Sequence, residues 1–172
     1  MIAPEILSFY ELGLEERRLT ESLGRLEFIR TFEIIERYAP VPPARILDIG
    51  GGAGVYALPL AVLGYHVHLV DPVPIHVERA RELSAASSSP LAAVSIGDAR
   101  KLDLPDGSVD VALMLGPMYH LIEPEDRVAA LAEARRVLVP DGLLISAYIS
   151  RFASACDGIQ DGALRDETFA AV

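Results

Sequence analysis

The chain has 172 residues, which is enough for one sizeable hydrophobic core, and 51% of them are hydrophobic. Its formal net charge of −10 argues against a nucleic-acid partner, because binding phosphates requires a basic surface. No apolar run approaches the roughly 20 residues that span a bilayer, and the N-terminus lacks the basic start of a secretory signal. With Cys156 as its one cysteine, the chain is expected to be a cytoplasmic protein without a membrane partner.

Two helices are predicted ahead of the first strand, Glu5–Leu19 and Arg25–Tyr38, and in the second the apolar residues Phe28, Phe32 and Ile35 recur at helical spacing. The proline-rich run at 40–43 ends the second helix, since proline cannot continue a helix and restricts the residue before it. Residues 1–40 are therefore predicted to form an N-terminal helical segment.

Strands and helices are predicted to alternate in the rest of the chain. The strands lie near residues 44–49, 66–70, 92–96, 109–115 and 143–149, and the helices near 54–63, 74–86 and 124–138. We expect a kink at Pro59, which would remove a hydrogen bond inside its helix. This alternation predicts an α/β protein with a parallel sheet covered by helices on both faces.

The stretch Leu-Asp-Ile-Gly-Gly-Gly-Ala-Gly at 47–54 joins the first strand to a helix through a glycine turn. A turn of this kind, with Gly50, Gly51, Gly52 and Gly54, brings backbone N–H groups and a helix terminus close to a ligand. The dinucleotide fingerprint G-x-G-x-x-G requires a glycine where this chain has Val55. Asp48 lies beside the turn and suits a ligand with a cationic group better than a pyrophosphate.

Four further segments follow the glycine turn in a recognisable order. They are His66–Asp71, with Asp71 placed 21 residues after Gly50, then Ser95–Ala99, Asp110–Leu121 and Arg136–Gly142. Together with the turn, they resemble class I S-adenosylmethionine-dependent methyltransferases of the small-molecule type, over roughly residues 25–150. The resemblance implies a doubly wound, Rossmann-like and mostly parallel sheet, S-adenosylmethionine as cofactor, S-adenosylhomocysteine as product and a small-molecule methyl acceptor.

The resemblance assigns roles to residues around the adenosine. The glycine turn would bind through its backbone, and Asp48 would orient the amino group of the donor or, alternatively, anchor the turn. Asp71 would accept hydrogen bonds from both ribose hydroxyls, with an exposed turn aspartate as the alternative. Pro72 would line the adenine, or simply be part of a loop.

The ends of the third and fourth strands would complete the donor site. Asp98 would accept from the adenine amino group unless it is a solvated loop acid, and the Ala99 N–H would reach the ring. The backbone carbonyls of Leu115 and Gly116 would hold the methionine portion, with core packing and a turn as the alternatives.

Tyr119 and His120 follow in the same loop and are the catalytic candidates. His120 would remove a proton from a hydroxyl acceptor, since histidine titrates near neutral pH. Alternatively, either ring packs over the cofactor or caps the next helix. His66 and His68 share one face of a strand, but no carboxylate or cysteine stands at ligand spacing, so we predict no metal site.

The resemblance also implies a domain division and an incomplete sheet. Residues 1–40 would form a lid, 41–150 the S-adenosylmethionine-binding domain, and 151–172 a truncated C-terminal segment, because the usual helix and antiparallel strand pair after strand five are missing. Strand five would then lie at an open edge, which invites pairing in a homodimer.

Methyl transfer to a small molecule is the predicted function. The alternatives are a non-catalytic domain that binds S-adenosylmethionine and, less favoured because of Val55 and Asp48, an NAD-dependent oxidoreductase.

Overall fold

The computed structural model describes residues 22–153 together with 156 and 158. The predicted helix Glu5–Leu19 lies outside the described residues, as does most of the segment 151–172. The division into a lid, a binding domain and a C-terminal segment therefore stays a prediction.

Helices and strands alternate through the described part. The helices are α1 (Ser22–Tyr38), α2 (Ala57–Val62), α3 (Pro74–Ala86), α4 (Pro117–His120) and α5 (Pro124–Val137), and the strands are β1 (Arg45–Ile49), β2 (His66–Asp71), β3 (Ala93–Ile96), β4 (Val109–Met114) and β5 (Leu138–Ser146). Among these helices, none has both the length and the apolar character that crossing a membrane requires.

The five strands form one sheet in the order β3-β2-β1-β4-β5, and every pair of neighbouring strands is parallel. The first three strands are added towards one edge and the next two towards the other. The order therefore reverses between β1 and β4, and open α/β sheets bind their ligands at such a switch point. The predicted doubly wound α/β fold is confirmed.

Helices cover both faces of the sheet because successive strand residues point to opposite sides. Ile46 and Leu47 are neighbours in β1, yet they belong to two different hydrophobic clusters. The cluster of Ile46 contains residues of α1, α2 and α3, whereas the cluster of Leu47 contains residues of α5. The sheet thus holds the core on both sides and leaves the strand ends to the loops.

Two predicted elements differ from the structure. Helix α2 begins only at Ala57, so Pro59 lies in its first turn, where a backbone N–H has no partner within the helix. A later helix start thus replaces the expected kink. Strand β5 starts at Leu138, and its register against β4 shifts between the pairs Val109–Leu138 and Val111–Leu143. The turn predicted ahead of the strand is therefore an irregularity inside it.

Strand β5 is the last strand on its side of the described sheet. Pairing of this edge with a second copy of the chain stays a prediction.

Candidate active site

The carboxyl ends of four neighbouring strands meet at one edge of the sheet. Asp48 near the end of β1 pairs with Leu69 of β2 and with Leu113 of β4, and Asp71 at the end of β2 pairs with Ile96 of β3. Because the strands are parallel, the loops that follow them share this edge. The structure thereby brings together the loops that carry all of the predicted site residues.

Backbone geometry explains the glycines of the turn after β1. Gly50, Gly52 and Gly54 have φ angles of 70°, 57° and 93°, and residues with a side chain rarely adopt such positive values. A Cβ at Gly50 would also lie 2.8 Å from Cγ of Pro117, the first residue of α4. The turn after β1 thus contacts the start of α4 across the switch point.

A Cβ at Gly52, in contrast, would meet no atom within 4 Å. The backbone of the turn is therefore open to a ligand at this residue, and its N–H donates to the carboxylate of Asp71.

Asp71 connects the glycine turn to the start of α3. It is only 4% exposed, and its Oδ2 accepts from the Gly52 N–H at 2.9 Å while Oδ1 accepts from the Val73 N–H at 2.9 Å. Nδ1 of His76 lies 3.3 Å from Oδ1. A carboxylate offers about four acceptor positions, so three are in use and one on Oδ2 remains for a ligand.

These contacts exclude one of the two interpretations of Asp71, and its binding to the ribose stays a prediction. The carboxylate is buried and anchored, so the alternative of an exposed turn aspartate is wrong. His76 was missed by the sequence analysis, although a histidine in the first turn of a helix five residues after the acid is a signal that could have indicated it.

Asp48 lies directly beneath the glycine turn. Its side chain is 2% exposed, and a Cβ on Gly51 would lie 2.6 Å from its Oδ2. This oxygen has no hydrogen-bond partner among the described residues. Burial, with a smaller contribution from the charge of Asp71, raises the pKa of Asp48 to about 7. A buried carboxylate oxygen without a donor is costly, and a cationic ligand group would satisfy it.

Asp98 is held by Arg100. The guanidinium donates from Nε to Oδ1 at 2.9 Å and from Nη2 to Oδ2 at 2.5 Å, and the Arg100 backbone N–H donates to Oδ1 at 2.9 Å. The same guanidinium donates from Nη1 to Asp126 of α5 at 2.7 Å. These bonds to Arg100 lower the pKa of Asp98.

Asp98 is therefore an anchored carboxylate and not a freely solvated loop acid. Arg100 was not predicted as a site residue, although the Asp-Ala-Arg spacing at 98–100 is a signal for a local ion pair.

The segment after β4 supplies the other wall of the site. Leu115 is half-buried and packs against the core cluster of Ile46, and Gly116 directly precedes α4. A Cβ at Gly116 would lie 3.8 Å from the hydroxyl of Tyr119 and 3.5 Å from the carbonyl oxygen of Gly50. The hydroxyl of Tyr119 and the carbonyl oxygen of Gly50 thus both approach Gly116.

His120 lies beside Tyr119 at the end of α4. The two rings are half-buried, with centroids 4.7 Å apart and planes inclined by 54°. The structure therefore places both catalytic candidates on the β4 side of the switch point, and their catalytic role stays a prediction.

The strand histidines contribute to the sheet. Nε2 of His68 lies 2.8 Å from Oγ of Ser95 and links β2 to β3, while His66 is exposed. Burial lowers the pKa of His68, which favours its neutral form. Within residues 22–153, 156 and 158 there is no group of three or more His, Cys, Asp or Glu side chains that could hold a metal ion.

Helix α1 packs beside the helix that follows the glycine turn. Phe28 stacks on Phe32 and on Tyr56, with ring centroids 5.6 and 5.2 Å apart, and Ile35 is completely buried. These contacts place α1 on the α2 side of the sheet. Whether it acts as a lid stays a prediction.

Comparison with known proteins identifies this arrangement. The methyltransferase domain family matches residues 46–142. An uncharacterized methyltransferase of Mycobacterium tuberculosis is 32% identical over 112 residues, which cover 65% of this chain and 42% of the relative. A ubiquinone biosynthesis O-methyltransferase of Methylocella silvestris is 34% identical over 119 residues, covering 67% of this chain and 44% of the relative.

The chain thus spans less than half the length of these two curated relatives. The crystal structure of a S-adenosylmethionine-dependent methyltransferase from Methanosarcina mazei aligns with a TM-score of 0.59 at 30% identity, covering 64% of this chain and 55% of the other. The family match, the relatives and the sheet order agree, and the chain belongs to the class I S-adenosylmethionine-dependent methyltransferase family.

Proposed function

We propose that this chain binds S-adenosylmethionine along the carboxyl ends of β1 to β4 and that its methyl group is transferred to a small molecule. The observation that carries the proposal is the buried Oδ2 of Asp48, which has no partner among the described residues and lies beneath an open glycine turn. The pKa of this carboxyl is raised to about 7, so a donor that carries an ammonium and a sulfonium group would favour its ionised form.

The chain offers matching groups for each part of the donor. Asp48 and the backbone of the glycine turn would hold the cationic amino acid end, together with the carbonyls of Leu115 and Gly116. The free acceptor position of Asp71 would take a ribose hydroxyl. Because one position is free, a second hydroxyl would require His76 to give up its contact with Oδ1.

Adenine would lie between the ends of β2 and β3. Pro72 would contact the ring, Asp98 would accept from the exocyclic amino group, and the N–H of Ala99 would donate to a ring nitrogen. Ala99 is buried in the core cluster of Leu47, so its backbone position is fixed by packing.

When bound, S-adenosylmethionine supplies an electrophilic methyl group on a sulfur that is itself a good leaving group, so an acceptor can displace the sulfur in line. The main contribution of the chain is then to position the two reactants and to exclude water. Gly50 and Pro117 are in contact. This contact holds the glycine turn at a fixed separation from the helix that carries Tyr119 and His120.

His120 is the residue that we propose as a base. One relative is named an O-methyltransferase, and a hydroxyl acceptor must lose its proton during transfer. Histidine exchanges protons near neutral pH, and His120 ends the short helix whose first residue, Pro117, contacts Gly50. Tyr119, whose hydroxyl lies near Gly116, would orient the acceptor.

Binding without turnover is the second candidate function. In the described part of the chain, the carboxylates of Asp71 and Asp98 are anchored at the proposed donor positions, whereas the proposed acceptor side rests on the assignment of Tyr119 and His120. Formation of S-adenosylhomocysteine with a panel of small hydroxyl and amine acceptors distinguishes a methyltransferase from a binding domain.

Calorimetric titration with S-adenosylhomocysteine, with NAD as the control, tests the proposed site. We expect micromolar binding of S-adenosylhomocysteine and no binding of NAD, because the pyrophosphate would approach the carboxylate of Asp48. Binding of NAD in preference would support an oxidoreductase. A folded sample that binds neither ligand would contradict the proposal.

A further inference from the structure

Arg100 connects two acidic side chains that belong to different parts of the fold. Asp98 follows β3 at the proposed adenine site, and Asp126 lies in the first turn of α5. The guanidinium bonds to both carboxylates, while its own side chain is 23% exposed. An arginine fork that is shielded and doubly paired in this way is held in one orientation.

Arg100 also determines which part of Asp98 is available to a ligand. Oδ1 accepts from both the backbone N–H and the Nε–H of Arg100, so its two acceptor positions are filled. Oδ2 accepts from Nη2 and retains one position. The planar fork therefore fixes the rotation of the carboxylate and directs one lone pair away from Arg100.

We propose that Arg100 is a positioning residue that sets purine specificity by aiming the remaining acceptor position of Asp98 Oδ2 at a 6-amino group. This inference rests on the proposed function, because it concerns the adenine end of the same donor site. A 6-amino purine presents N–H donors to the oxygen. A 6-oxo purine presents a carbonyl oxygen there, which repels the carboxylate.

The bond to Asp126 strengthens this arrangement. It links the loop that carries Asp98 to α5, so the position of the carboxylate is held by a helix as well as by its own loop. Asp126→Asn weakens this tie and leaves the fork between Arg100 and Asp98 in place. Its effect on specificity is therefore expected to be smaller than that of replacing Arg100.

The test compares two ligands that differ at position 6 of the purine. Calorimetry gives the affinity of each variant for S-adenosylhomocysteine and for S-inosylhomocysteine. The readout is the affinity for the adenosyl ligand divided by the affinity for the inosyl ligand. In Arg100→Gln we expect the ratio to fall about three- to tenfold, mainly through weaker binding of the adenosyl ligand, since the carboxylate must then be ordered on binding.

Two further variants make the comparison specific. Arg100→Lys keeps the charge but loses the fork, so its ratio should fall nearly as far as in Arg100→Gln. Arg79→Gln is the matched control, because Arg79 pairs with Glu82 on the exposed face of α3, and its ratio should equal that of the unaltered protein.

The outcomes separate the inference from the proposed function. Absence of S-adenosylhomocysteine binding in the unaltered, folded protein contradicts the proposed function itself. If that binding is intact, an unchanged ratio in Arg100→Gln, or an equal loss for both ligands, overturns the positioning role. Recovery of the full ratio in Arg100→Lys overturns it as well, because charge alone would then suffice. Should Arg100→Gln fail to fold, the ratio of Arg100→Lys decides.

Discussion

The two sides of the switch point are built differently. On the β1–β3 side, Asp71 and Asp98 are anchored by backbone N–H groups and a guanidinium, each within its own loop or the adjacent one. On the β4 side, Tyr119 and His120 are two packed rings on a helix of four residues. The proposed donor side is thus built on hydrogen-bonded carboxylates, whereas the proposed acceptor side is built on two aromatic rings of a short helix.

The largest expected effect lies on the acceptor side. Replacing the proposed base, His120→Ala, should reduce turnover of a hydroxyl acceptor on the order of 10²- to 10⁴-fold while donor affinity stays nearly unchanged. Turnover is measured as S-adenosylhomocysteine formation, and His66→Ala, which removes an exposed strand histidine, is the control. An unaltered rate in His120→Ala would show that His120 is not the base.

A pH dependence separates Asp48 from the anchored acids. Its pKa is raised from 3.8 to about 7, so between these values the folded protein keeps a proton that the unfolded chain releases. The contribution of Asp48 to the free energy of unfolding should therefore fall as pH rises towards 7 and then level off. Asp48→Asn has no carboxyl to ionise, so it avoids the cost of a buried charge at this position.

The stability advantage of Asp48→Asn should accordingly grow by roughly 2 kcal/mol between pH 5 and pH 8, as measured by urea unfolding. Asp103→Asn, at an exposed position, is the control and should show no such trend. A difference between Asp48→Asn and the unaltered protein that does not vary with pH would mean that the carboxylate is ionised throughout.

Asp71→Ala tests the anchored carboxylate of the donor side. It removes the acceptor for a ribose hydroxyl and the anchor of the Gly52 N–H, so the affinity for S-adenosylhomocysteine should weaken by about 1–3 kcal/mol. Calorimetry measures the loss, with Asp103→Ala as the control. An unchanged affinity for S-adenosylhomocysteine would show that Asp71 does not bind the ribose.

The smallest effect concerns the contact between the two sides. Gly50→Ala and Gly107→Ala both place a side chain at a positive φ angle, 70° and 59° respectively. Only the Cβ at residue 50 would lie within 3 Å of Pro117, whereas the Cβ at residue 107 would meet no atom within 4 Å. Gly50→Ala should therefore lose roughly 1–2 kcal/mol more stability in urea unfolding than Gly107→Ala. Equal losses would show that backbone strain alone explains the glycine.

Much of the fold was predictable because its signals are local. Apolar runs ended by glycine or proline turns indicated the five strands, and the glycine turn at 50–54 indicated the donor side. The start of α2 was not predictable in this way, since Tyr56, directly before it, packs on Phe28 of α1, and no local pattern shows such a contact.

Contacts between residues of different helices, strands and loops were the part of the site that was hardest to predict from the sequence. The bond from Arg100 to Asp126 joins residues 26 apart in sequence, and the contact of Gly50 with Pro117 depends on β1 and β4 being neighbours. Neither follows from local pattern. Likewise, the orphaned oxygen of Asp48 is a property of burial between elements, so the sequence indicated the acid but not its raised pKa.

A crystal structure with S-adenosylhomocysteine bound tests the central claim most directly. We expect the ligand across the carboxyl ends of β1 to β4, with its amino acid end at the glycine turn, a ribose hydroxyl on Asp71 Oδ2 and the adenine amino group on Asp98 Oδ2. A ligand bound elsewhere, or one whose ribose and adenine leave Asp71 and Asp98 untouched, would contradict the proposed site.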